Sequence, residues 1–135
     1  MNGGVANTSG IHWVRLSDKY TSRTDRMNFW GTNGVEPGDI NQGYIGNCWL
    51  IAAISALAEH GSRIDRLMVN EGFSDNGIYA SNMYLMGVPI TLIVDDYLPM
   101  VDNNTIFGGL GKDGSLWGAI AEKMFAKYYG NYETL

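Results

Sequence analysis

The chain has a single cysteine, Cys48. One thiol can form neither an intrachain disulfide nor a thiolate zinc site, so the oxidised scaffold and the zinc finger are excluded and Cys48 is free. Basic residues are few as well: nine Lys and Arg against fourteen Asp and Glu leave a net charge of −5. Without a basic stripe to neutralise phosphates, nucleic acid and anionic membrane are poor partners. Charged residues are 17% of the 135 and hydrophobic ones 45%, the balance of a globular protein and not of a disordered one. No uncharged run approaches the ~20 apolar residues that span a bilayer. The first ten residues lack the positive start and apolar run of a signal peptide, so a soluble, cytoplasmic protein is expected. Sequons at Asn7 and Asn104 would matter only in a secreted protein and are taken as chance matches in loops. The length suits one modest domain or one lobe and is short for a two-lobed enzyme.

Glycine, by contrast, is abundant at 18 residues, which predicts many turns and close backbone approaches. Residues 1–29 read as an arm with isolated aromatics such as Trp13, Tyr20 and Phe29 pinning it to a core, and the organised unit as 30–135. Residues 48–59, CWLIAAISALAE, are apolar almost all round, the pattern of a helix buried on most sides. His60 and Gly61 are expected to end it, the glycine in a left-handed cap. Residues 63–70 suggest a short amphipathic turn or helix through Ile64, Leu67 and Met68. Two runs rich in Ile, Tyr, Val and Thr, 77–85 and 88–94, flank Met86-Gly87 and predict an antiparallel hairpin, with Pro89 at an edge. A glycine-rich loop then leads to Ser115, a plausible N-cap for a helix whose face is Leu116, Trp117, Ile120, Met124 and Tyr128, stopped by Gly130. The fold class expected is α+β.

The most informative words are QGYIGNCW, residues 42–49, directly before the most apolar helix. A cysteine on the first turn of a helix feels the positive end of the macrodipole, which favours the thiolate that attacks a carbonyl. Acyl transfer also needs donors where the oxyanion forms, each worth on the order of 3 kcal/mol. The amide of Gln42 and the backbone N–H of Cys48 are candidates for that role. Gly43 and Gly46 would let the loop bend and leave room for a substrate backbone. The competing reading is a small hydrophobe at a helix start, as most unpaired cysteines are. Neither histidine offers an obvious base. His60 lies twelve residues past Cys48, roughly 18 Å along a helix at ~1.5 Å per residue, and His12 lies upstream in a loop.

Gln42, Gly46, Cys48 and Trp49, with the glutamine six positions before the cysteine, resemble the active-site motif of papain-fold cysteine proteases. NQGYIGNCWLIAAISAL resembles the catalytic segment of calpains, and so do three later pieces in order, GIYA, LIVDDYLP and LWGAIAEKMFAKYYGNYETL. The similarity runs from about Trp30 to Leu135. It implies the helix-rich first lobe of a papain-like protease core, built on a buried central helix from Cys48 and a small hairpin. In that family Cys48 would be the nucleophile and Gln42 would line the oxyanion hole, with Gly46 and Trp49 beside them in the substrate loop. A second lobe would supply a histidine and an asparagine. The reaction implied is hydrolysis of protein or peptide substrates by a calcium-dependent endopeptidase, and this chain alone is expected to be inactive. The alternative is a calpain-like lobe kept for binding or scaffolding.

The same resemblance implies a calcium site of loop carbonyls and an aspartate before the glutamine, matched here by Thr32, Gly34 and Asp39. Such oxygen ligands suit a hard cation. Where the family places a glutamate, this chain has Ser115, and Asp39 has a second reading as a turn residue after Pro37-Gly38. Asn47 stands for an acidic or serine residue and is expected to be a surface-loop change, while Pro89 falls at a strand tryptophan. Asp95-Asp96 is read as solvation or strand-end hydrogen bonding rather than an acid/base pair. GGLG, residues 108–111, lacks the Lys-Ser/Thr of a phosphate loop.

Overall fold

In the computed structural model, which describes residues 10–19, 29–41, 43, 46–102, 104–132 and 135, four α-helices and two small antiparallel sheets share one apolar core, and the chain is α+β as expected. The hairpin forms where the sequence put it. Strands β2 (Ile78–Leu85) and β3 (Val88–Asp95) pair in register from Ile78 with Asp95 to Leu85 with Val88. Met86 at φ 50° and Gly87 at φ 83° make the two-residue turn, whose paired positive φ values match the twist of the strands. Only the base of the hairpin is buried, through Tyr79, Ser81 and Val94, while Tyr84, Leu85, Met86 and Val88 at its tip are exposed.

The segment read as an arm is not all loop. Strand β1 (His12–Arg15) pairs with β4 (Tyr97–Val101), which also pairs with the two-residue β5 (Asn104–Thr105). A one-turn helix α1 (Leu16–Lys19) follows β1 and buries Leu16 completely. Its first N–H groups have distant partners: Leu16 N donates to the Asp96 carbonyl at 3.2 Å and Ser17 N to the Asp96 carboxylate at 3.0 Å. Arg15 Nε donates to the same carboxylate at 3.1 Å. Asp96 is therefore a buried, satisfied strand-end residue, whereas Asp95 reaches Lys123 on the surface.

Helix α2 (Cys48–Ala58) starts at the cysteine, but it buries only Leu50, Ile54 and Ala58. The reading of a helix covered on most sides is corrected: Cys48, Trp49, Ala52, Ala53 and Ala56 are exposed. Nor does Gly61 form a left-handed cap. His60, at φ −125°, is the N-cap of a second helix, α3 (Gly61–Leu67), so the chain turns directly from one helix into the next. Met68 and Ile64 then seal the core beneath α2.

Helix α4 (Trp117–Tyr129) is the most enclosed element, with Trp117, Gly118, Ala119, Ile120, Glu122, Met124 and Ala126 buried. Its N-terminal donors are met by a carbonyl from far upstream rather than by Ser115. The Phe29 oxygen accepts from Leu116 N at 3.1 Å and Trp117 N at 3.0 Å, and orphan amides at a helix start need such a partner. Ser115 is buried and the helix begins two residues later without a side-chain cap. Phe29 in turn stacks on Tyr79 at 5.0 Å and meets Trp30 edge-on at 4.6 Å. Gly130, at φ 110°, ends the helix as predicted.

Candidate active site

The residue before Cys48 ties the start of α2 to the rest of the chain. The Asn47 carbonyl accepts Leu50 N at 2.9 Å and Ile51 N at 3.1 Å, which starts α2. An asparagine at this position ordinarily turns its side chain back onto its own helix. Here it makes no such cap; Asn47 is fully buried and its Nδ2 donates to Glu122 Oε1 on α4 at 2.5 Å. The expectation of a surface-loop substitution at 47 is thereby overturned. The other oxygen of Glu122 accepts Gly108 N at 2.5 Å. Burial pushes the Glu122 carboxyl above its usual range, and the hydrogen bonds from Asn47 and Gly108 offset part of that rise.

Cys48 itself is exposed and free, the first residue of α2. Trp49 beside it is half exposed; its Nε1 donates to the Leu135 carbonyl at 2.7 Å, and its ring meets Tyr129 edge-on at 5.9 Å. Gly46 is exposed, with open space where a Cβ would stand. Gly43 is the opposite case: a Cβ there would lie 2.3 Å from the Phe107 carbonyl oxygen, so no side chain fits. Asn41 is bridged to Gly109, whose N–H reaches the Asn41 carbonyl at 3.1 Å, and Asn41 Nδ2 donates to Leu110 O at 2.7 Å. Gln42, the expected oxyanion residue, lies outside the described residues. Tyr132 stacks on Phe107 at 4.4 Å, and burial together with the nearby Glu122 pushes its phenol well up.

The histidines do not gather at the thiol. His60 sits between α2 and α3 at the far end of the cysteine helix and is exposed. His12 opens β1 with Nδ1 3.2 Å from the Gly10 carbonyl. Among the described residues no hydrogen bond joins Cys48 to either ring.

The residues matched to calcium lie along the stretch 32–39, ahead of the cysteine segment. Asp39 ends a 3-10 turn (Pro37–Asp39) and is buried; its Oδ2 accepts Glu36 N at 2.9 Å and Trp117 Nε1 at 3.0 Å. Thr32 N donates to Asp113 Oδ2 at 2.8 Å, and Gly34 holds φ 83°. Burial raises the Asp113 carboxyl, but the N–H groups of Ser115 and Thr32 outweigh it and hold the group below the usual range. Among the described residues no three His, Cys, Asp or Glu side chains are grouped for a metal.

Glu122 is a residue that sequence reasoning did not single out and that the structure buries against the segment before Cys48. Its signal lay in the spacing: Gly118, Ala119, Glu122 and Ala126 recur at three- and four-residue steps on one face of a helix. Small residues on a face let another segment come close, and an acid in their line is then covered.

Comparison with known proteins gives one answer throughout. A family model described as "Calpain family cysteine protease" matches residues 3–135. The chain is 31% identical to the calpain-1 catalytic subunit of Bos taurus over 133 residues and 34% identical to the calpain-2 catalytic subunit of the same species over 133. Each match covers 96% of this chain and 18% of the relative, so the chain spans under a fifth of the curated relatives' length. A calpain-type cysteine protease of Zea mays, DEK1, is 33% identical over 105 residues, covering 77% of this chain and 5% of that protein.

Proposed function

This chain belongs to the calpain family of cysteine proteases, and we propose that it is the nucleophile lobe of a calcium-dependent intracellular endopeptidase, with Cys48 as the attacking residue. The observation that carries the proposal is the placement of a free, exposed thiol as the first residue of α2, between the open Gly46 and the half-exposed Trp49. The Cys48 sulfur attacks the scissile carbonyl carbon, and the oxyanion that forms is met by the Cys48 N–H and the Gln42 amide. Collapse breaks the C–N bond and leaves a thioester. A histidine from a second lobe, oriented by an asparagine, takes the thiol proton, delivers it to the leaving amine, and then deprotonates the water that releases the acid product. Gly46 and Trp49 flank the substrate backbone. The chain without that lobe is inert.

Calcium is part of the proposal. The Thr32 and Gly34 carbonyls and the remaining oxygen of Asp39 are hard donors that would hold it. A bound ion would supply a fixed charge that organises the loop before Gln42. The fit is looser than in a site with a further glutamate, because position 115 is a serine and Asp39 already serves Glu36 N and Trp117 Nε1. Titrating calcium into the chain and into Asp39→Asn by calorimetry tests this, and identical heats for the two sink it.

The second reading, a non-catalytic binding module, is favoured by the position of His60 at the opposite end of α2. One experiment separates the two. The labelling rate of Cys48 by a thiolate-selective alkylator is measured with and without calcium, and peptide cleavage is measured after a calpain-type second lobe is added. Rapid labelling and cleavage support the protease. Slow labelling and no cleavage leave the module.

A further inference from the structure

We infer that Glu122 is a positioning residue for the nucleophile, a single buried carboxylate that ties the residue preceding Cys48 and the 106–110 loop to α4. The inference rests on the protease reading of Cys48 given above. Three observations carry it. Asn47, Gly108 and Glu122 are all buried, and the two carboxylate oxygens are divided between them, Oε1 to Asn47 Nδ2 and Oε2 to Gly108 N. The contact is so close that a Cβ on Gly108 would stand 2.5 Å from Oε2. And the side chain of Asn47, which by type should cap its own helix, is given up to α4 instead while its carbonyl alone starts α2.

The consequence reaches both sides of the site. Through Asn47, Glu122 sets where the first turn of α2 begins, and so the direction of the Cys48 side chain. Through Gly108 it fixes a loop whose next residue, Gly109, is bridged to Asn41, and whose Phe107 and Ile106 carbonyls lie against Gly43. Those are the residues on either side of Gln42. A burial cost is accepted for this: desolvation raises the Glu122 carboxyl, and only the Asn47 and Gly108 donors oppose it. An apolar residue at 122 would have served the core without that cost.

The test compares wild type, Glu122→Leu, Glu122→Gln and Asn47→Ala for Cys48 alkylation rate, and for kcat and KM of peptide cleavage with the second lobe supplied. Glu122→Leu should lower the alkylation rate and kcat at least tenfold with KM within twofold. Glu122→Gln should restore both to within threefold of wild type. Its Oε1 still accepts Gly108 N–H, and its Nε2 can donate to Asn47 Oδ1, which has no partner in the present arrangement among the described residues. A core role alone would change unfolding without splitting kcat from KM. If Glu122→Leu does not fold, Asn47→Ala, which leaves the Glu122 to Gly108 bond in place, decides: a tenfold slower thiol supports the inference and an unchanged one overturns it. A folded Glu122→Leu as fast as wild type, or a Glu122→Gln as slow as Glu122→Leu, also overturns it while the protease reading stands. A wild-type chain that neither labels nor cleaves overturns both.

Discussion

Helices α2 and α4 invert the usual relation between composition and environment. Residues 48–58 contain no charged side chain, yet only three of eleven are buried; α4 carries Glu122, Lys123 and Lys127, yet seven of its thirteen residues are buried. The apolar character of α2 is therefore not spent on the core that the described residues form. Its open face of Cys48, Trp49, Ala52, Ala53 and Ala56 is small apart from the tryptophan and carries the thiol, while α4 presents a tight seam to Phe29, Ile40 and the 106–110 loop. The contrast separates two environments: α4 is enclosed in the core, and α2 leaves an open face with the Cys48 thiol at its start. Our proposal that a second lobe completes the site assigns that surface its use.

The largest effect that tests the division should come from the cysteine. Cys48→Ala is expected to abolish peptide cleavage in the complemented enzyme, by roughly ten-thousandfold or more, while the stability of the chain moves by no more than ~0.5 kcal/mol because the side chain is exposed. Peptide hydrolysis and urea melts read the two quantities. A large loss of stability would show that α2 is structural after all. Trp117→Ala on α4 should do the reverse. The side chain is fully buried and its Nε1 bonds Asp39, so about 4 kcal/mol of stability is lost. Trp117→Phe keeps most of the volume, and leaving the buried Asp39 one donor short costs ~1–3 kcal/mol. A thermal melt unmoved by Trp117→Ala would break the comparison from the other side.

A smaller effect is expected on the open face. Ala53→Arg should leave the isolated chain within ~0.5 kcal/mol of wild type, yet weaken capture of the second lobe about tenfold, or ~1.4 kcal/mol. Titration of the labelled lobe measures this, and an unchanged affinity would remove α2's face from the lobe interface.

What could be read in the sequence follows the range of the interactions involved. The start of α2 at Cys48, the Met86-Gly87 turn and the stop at Gly130 are written in neighbouring residues, and each stands where the local chemistry put it. The pairing of β1 with β4 joins residues more than eighty positions apart, and four half-exposed residues, HWVR, carry no alternation strong enough to announce it. The start of α4 is met by Phe29, again from far upstream, so Ser115 looked like a cap that was not needed. At the site, the cysteine and its flanking glycines were legible because their chemistry is local. The Asn47 to Glu122 bond was not, since it joins residues 75 positions apart and the small-residue face of α4 names no partner for its acid. The family resemblance supplied what periodicity could not, and the match over residues 3–135 bears it out.

The smallest effect lies in the pH dependence of that buried charge. Because burial raises the Glu122 carboxyl in the folded chain, the native state holds its proton to higher pH than the unfolded state does. The stability this contributes is fully present below the ordinary glutamate value, ~4.3, and is lost as pH rises through the raised one. Asp95 and Asp113 work in the opposite direction. Burial raises each, but Lys123 and Tyr97 N–H at Asp95, and the Ser115 and Thr32 N–H groups at Asp113, hold them low, so their contribution is lost as pH falls. Both remain in Glu122→Gln, so the difference in melting temperature between wild type and this variant isolates position 122. The variant, unable to ionise, should gain on wild type as pH is raised from ~4, by a modest amount because Asn47 and Gly108 already offset part of the burial. A flat difference across that range would mean that α4 holds its carboxylate without strain, and the contrast between a helix that hides a charge and one that exposes its apolar face would then rest on geometry alone.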